Sequence, residues 1–200
     1  MPRYFNFIHH IDATSHFNRA VICLEKAFTF LDSSYLFYAA LELRTSIERL
    51  LFEYLVLVGA DEAKIGSMMN TYRIKDLSRA LYETEPEFDK KIEYTNFYLK
   101  TIGADLEMLV LDKNKLNYYY GKLGSYLHNF KKPAGSTQNQ EWWNTLIQFL
   151  EESRAYLYEY FKVPRGFFNK MNDIGLELYQ SYKDESVSKE DIKKRILDGK

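Results

Sequence analysis

Cysteine is almost missing from this chain. Cys23 is the single one in 200 residues, which excludes an intramolecular disulfide and a cysteine-built zinc site and favours a cytoplasmic protein. Long hydrophobic runs are missing too: the most apolar stretch, residues 50–58, is too short to span a bilayer and carries Glu53. The opening MPRYFNFIHHIDA has no extended apolar run and no small-residue cleavage site, so it does not read as a secretory leader. Neither charge dominates, with 27 basic and 28 acidic residues and a net charge of -1. Non-specific nucleic-acid affinity is mostly phosphate neutralisation, so any RNA bound here needs a local patch. No GxGxxG, GxxxxGK, HExxH or GxSxG motif occurs. Strand signals are equally scarce: no segment alternates apolar and polar with β-branched enrichment, and Asp198-Gly199 is the one hairpin-type dipeptide.

What is present is helical patterning and aromatic mass. Hydrophobic residues make up 46%, enough for a core, and the chain holds 17 Tyr and 14 Phe. Residues 12–31 repeat apolar side chains at three- and four-residue spacing from Phe17 to Leu31, with Asp12 or Ser15 to cap them. Residues 35–58 form the strongest stripe, from Leu36 to Val58, stopped by Gly59. The short Asp32-Ser33-Ser34 connector between these helices implies an antiparallel hairpin. Short helices are expected near 61–69 and 74–83, and a longer one from Pro86 to about Leu111, bent at Gly103. Further helices are expected over 113–130, 141–162 and 167–182, the second of these following a capping pattern at Thr137-x-x-Gln140. The tail from Ser188 has little apolar face and reads as frayed or peripheral. The fold class is therefore all-α: an antiparallel bundle of four to five long helices with extra short ones. Residues 1–166 read as the bundle domain and 167–200 as a C-terminal helical extension.

One stretch stands out as a place for function, LNYYYGKLGSYLHNF over residues 116–130. At 100° per residue, Leu116, Tyr120, Leu123, Leu127 and Phe130 line one side, the core stripe. Gly121, Gly124 and His128 share a neighbouring side. Each glycine costs about 1 kcal/mol relative to alanine inside a helix, so a close approach by a helix or ligand is expected there. His9, His10 and His16 lie far from His128 in sequence and show no metal-ligand spacing, so no metal and no cofactor are assigned. In the second helix Arg44 and Glu48 stand four apart at the edge of the apolar stripe. Exposed, they make a weak solvated ion pair. Half-buried against the glycine-bearing helix, Arg44 could reach His128 or an anion, for which its forked donors are well shaped.

LRTSIERL in an early long helix, followed much later by YGKLGSYLHNF, resembles the HEPN superfamily of prokaryotic helical bundles over roughly residues 12–162. The resemblance implies a four- or five-helix bundle, a homodimer, and a place in toxin–antitoxin, abortive-infection or other phage-defence systems. Many members are metal-independent endoribonucleases with an arginine and a histidine separated by four to six residues. Here the matching position holds Lys122, which lacks the guanidinium fork and lies roughly 120° from His128 on an ideal helix.

Two functional readings follow. In the first, the chain is an RNA-cleaving or RNA-binding effector. His128 is its acid–base group, and Lys122 or Arg44 stabilises phosphorane charge. Glu48 and Asn129 orient groups in the site, and Tyr118, Tyr119 and Tyr126 stack bases. In the second, it is a non-catalytic helical module that binds a partner protein, with these tyrosines at core margins or interfaces. A small-nucleotide sensor is a weaker third reading, for lack of a phosphate loop. No membrane partner is expected.

Overall fold

A computed structural model describes residues 12–69, 73–129, 140–163, 165–166, 168 and 171–199. Among the described residues every regular element is an α-helix: α1 (Ala13–Phe30), α2 (Ser34–Leu57), α3 (Glu62–Met69), α4 (Ile74–Thr84), α5 (Phe88–Thr101), α6 (Lys113–Asn129), α7 (Gln140–Phe161), α8 (Asp173–Lys183) and α9 (Lys189–Asp198). Asp12 caps α1, its carboxylate accepting from the Ser15 amide at 2.6 Å.

The central element is α2, which packs on α1, α4, α6 and α7. Its stripe of Leu36, Ala39, Ala40, Leu43, Ile47, Leu50, Leu51 and Tyr54 is buried, as the periodicity predicts. The helix ends in a Schellman turn: Gly59 sits at φ 76°, its amide donates to the Val56 carbonyl, and the Ala60 amide reaches Leu55. The main core gathers residues from α1, α2, α4, α5, α6 and α7.

Two expectations are corrected. The helix expected from Pro86 to Leu111 stops at Thr101. Gly103 takes φ 77°, its amide donates to Lys100, and the Ala104 amide to Leu99, a second Schellman turn that terminates the helix instead of bending it. The segment beyond is held by Asn96, which donates to the Met108 carbonyl at 2.7 Å and accepts from its amide at 2.8 Å. The helix expected from 167 begins only at Asp173, where Asn172 caps it by accepting from the Gly175 amide.

The tail is also better packed than its sparse apolar face suggests. Ile192 is fully buried and Ile196 nearly so, in a second core with Tyr94 of α5 and Leu178 and Tyr179 of α8. Thus α5 serves both cores, Phe88 and Ile92 facing the bundle and Tyr94 facing α8 and α9. Glu87 ties the two together, accepting from the Tyr179 hydroxyl and from Lys183 Nζ, each at 2.9 Å.

Candidate functional site

The α2–α6 seam is where the two noted stretches meet. Arg44 Nη2 donates to the Tyr120 hydroxyl at 2.7 Å, and that hydroxyl donates to Glu48 Oε1 at 2.8 Å. The guanidinium carbon lies 4.4 Å from the Tyr120 ring centroid. Arg44 Nε sits 3.6 Å from Glu48 Oε1, an ion-pair distance too long for a hydrogen bond. That nitrogen is buried and makes no hydrogen bond among the described residues. Glu48 is the more enclosed partner. Burial pushes its carboxyl above the usual range, against the Tyr120 hydrogen bond and the positive charges of Arg44, Arg49 and His16. Burial likewise raises the Tyr120 hydroxyl, with the Glu48 carboxylate adding to it and Arg44 opposing it.

The glycines divide. A Cβ on Gly124 would lie 3.5 Å from Arg44 Nη1, so the guanidinium rests against this glycine. Gly121 has open space around it, and the expected close approach does not occur there. His128, one turn beyond Gly124 on the same face of α6, is exposed. No hydrogen bond or ion pair joins it to Arg44 among the described residues.

The remaining candidates separate. Lys122 is exposed on α6, its ammonium 5.8 Å from the Phe149 ring of α7. Tyr126 is corrected from a stacking ring to a core residue: it is 5% exposed, and Trp142 and Phe149 pack against it. Tyr119 is half-buried, stacked on Tyr156 and tilted against Phe149, so its faces are also largely used. Tyr118 alone of the three keeps an exposed ring. Asn129 ends α6. Phe130, the segment 131–139 with Thr137, and His9 and His10 lie outside the described residues.

Sequence reasoning placed Tyr120 in the core stripe and missed its hydroxyl as the bridge between Arg44 and Glu48. The signal was there in the four-residue spacing Tyr120–Gly124–His128. A second polar cluster also went unnoticed on α1 and α2, where His16 Nδ1 lies 2.6 Å from Glu42 Oε2 and 2.7 Å from Arg19 Nη2. Among the described residues no group of three or more His, Cys, Asp or Glu side chains is arranged to hold a metal ion. Nor is any helix there long and apolar enough to cross a membrane.

Fold and site together define an all-helical bundle with an arginine–tyrosine–glutamate bridge across its central seam. No family model, curated protein or solved structure matches the chain.

Proposed function

We propose that this protein is an RNA-directed effector of the HEPN kind, acting in a toxin–antitoxin or phage-defence setting in the cytoplasm. The observation that carries the reading is Arg44 resting under Gly124, one helical turn from the exposed His128. Arg44 Nη1 makes no hydrogen bond among the described residues, and the anchoring of Nη2 by Tyr120 fixes the plane of the fork for a phosphate. Arg44 rather than Lys122 is then the cation of the site.

In this mechanism His128 takes the proton of a ribose 2′-hydroxyl as its oxygen attacks the adjacent phosphorus. The P–O5′ bond breaks, a 2′,3′-cyclic phosphate forms, and the departing 5′-oxygen takes a proton from solvent water, while the proton held by His128 returns to solvent. Arg44 faces the charge that builds on the phosphoryl oxygens. Incubating the protein with mixed RNA tests this. Cleavage is expected for the wild type, with loss in His128→Ala and weaker binding in Arg44→Ala. Absence of both cleavage and low-salt binding in the wild type overturns it.

A second reading, a non-catalytic protein-interaction module, draws support from Tyr119 and Tyr126, whose rings pack within the chain and leave little surface for bases. The same RNA experiment decides between the two.

A further inference from the structure

The C-terminal core holds a small cavity that shares no residue with the α2–α6 seam. It measures about 190 Å³ and lies between α5 and α8, lined by Tyr94, Tyr98, Phe168, Met171, Asn172 and Gly175. Tyr94 and Tyr98 stand four apart on α5, so both lie on one face of it. Phe168 meets Tyr98 edge-on, with ring centroids 5.0 Å apart at 90°. Buried Thr95 holds it there, its Oγ1 accepting from the Phe168 amide at 3.1 Å. Gly175 lets α8 come this close, because a Cβ there would lie 3.1 Å from Asn172 Oδ1 and 3.3 Å from the Met171 Cβ. Asn172 is exposed, so the cavity opens to solvent on its side.

Tyr94 is the anomaly. It is 2% exposed and packed among Phe97, Phe168, Tyr179 and Tyr182, yet its hydroxyl makes no hydrogen bond among the described residues. Buried hydroxyls are normally paired, and phenylalanine would fill this place without leaving one to satisfy. The oxygen is not sealed off, and the cavity is the opening that Tyr94 lines. The Tyr98 hydroxyl has no partner among the described residues either. Asn172 spends its carbonyl on the Gly175 amide at 2.8 Å, which leaves its Nδ2 to donate. The unspent groups at the cavity are therefore donors, and the rest of its lining among the described residues is ring and thioether without charge. An apolar cavity of about 150 Å³ takes a benzene ring, so this one has room for a six-membered ring with a small substituent. Unspent donors call for an acceptor on that ring, and an uncharged wall for a neutral one. We infer that this cavity binds a neutral six-membered ring bearing a carbonyl oxygen, which accepts from the Tyr94 hydroxyl. A free aromatic amide and a pyrimidine base both offer that chemistry, and neither needs the Arg44–Tyr120–Glu48 seam to be catalytic.

The test is an NMR titration of the full chain with benzamide, toluene and uridine, using methionine-methyl spectra to locate the binding. Benzamide is expected to bind and to move the Met171 methyl resonance. Toluene, which lacks the acceptor, should bind about tenfold more weakly. Tyr94→Phe keeps the ring contacts and removes only the hydroxyl. It is expected to melt at the same temperature or higher while binding benzamide about tenfold more weakly, with toluene unchanged. Uridine that competes with benzamide identifies a base as the source of the ring, and benzamide binding without uridine identifies a free small molecule. Failure of both benzamide and uridine to bind overturns the inference. So does binding that leaves Met171 unmoved, toluene that binds as tightly as benzamide, or a Tyr94→Phe protein with wild-type affinity for the carbonyl ligand. None of these outcomes bears on RNA cleavage, which is scored separately.

Discussion

Arg44 meets Tyr120 twice, through a 2.7 Å hydrogen bond from Nη2 to the hydroxyl and through the ring, whose centroid is 4.4 Å from the guanidinium carbon. The hydroxyl in turn donates a hydrogen bond to Glu48, so a surface-type pair spaced four apart on α2 becomes a relay that crosses to α6. An exposed pair of this spacing contributes a few tenths of a kcal/mol. This one is part-buried and hydrogen-bonded, and its removal should cost more.

Tyr120→Phe keeps the ring and deletes the relay. The expected loss is about 2 kcal/mol near neutral pH, from two hydrogen bonds to charged groups that are part-buried. The pH dependence has a definite sign. The hydroxyl stabilises the ionised form of Glu48, so its loss raises that carboxyl further. The deficit is therefore largest where Glu48 is ionised in the wild type, and it shrinks as pH falls through the Glu48 titration. Urea denaturation of both proteins over an acid pH series measures it. A deficit that grows on acidification contradicts the relay.

Gly124 and Gly121 make a matched pair of substitutions. Alanine at Gly121 meets nothing within 4 Å, and at Gly124 it meets Arg44 Nη1 at ordinary contact distance. Both should stabilise α6 by up to about 1 kcal/mol through helix propensity. Gly124→Leu fills the place of the guanidinium and should push Arg44 off Tyr120. Stability by urea melts and RNA binding at low salt are expected to fall together for Gly124→Leu and to diverge from the alanine variants.

Much of this architecture was legible in the chain, because its helices are long and their stripes regular. Residues 35–58 announce α2 by spacing alone, and Asp12 is one of the two residues that offer a cap for α1. The end of α5 was not legible. Apolar residues continue past Gly103 at Leu106 and Leu109, and only the positive φ of that glycine separates a bent helix from a finished one. The site was half legible: Arg44, Glu48 and the glycine face could be read, but whether a tyrosine in an apolar stripe spends its hydroxyl depends on what stands opposite it. No spacing rule supplies that.

Asn96 tests the terminated helix directly. Its amide satisfies both backbone groups of Met108. Asn96→Ala leaves two part-buried backbone groups without that partner and should cost about 2 kcal/mol. Limited proteolysis is expected to cut the 104–112 segment first in the variant, with α6 and α7 still protected. Unchanged cleavage would mean that the Tyr160 hydroxyl, which accepts from the Asp112 amide at 3.1 Å, holds the segment by itself.

Glu87 sets the acid stability of the C-terminal helices. Lys183 Nζ and the Tyr179 hydroxyl both donate to its carboxylate and hold it below the ordinary carboxyl range. A folded-state carboxyl lowered in this way contributes stability above the unfolded value near 4.5, and loses it as pH falls through the lower folded value. Glu87→Gln lacks that titration. The wild type should exceed the variant at neutral pH by a margin that narrows below about pH 4.5 and vanishes once Glu87 is protonated. Hydrogen exchange localises the effect: amides of α8 and α9 should lose protection in Glu87→Gln at neutral pH, while those of α2 keep theirs. Equal exchange in α8 and α9 for both proteins would show that Ile192, Ile196 and Tyr179 hold these helices on α5 by apolar burial alone.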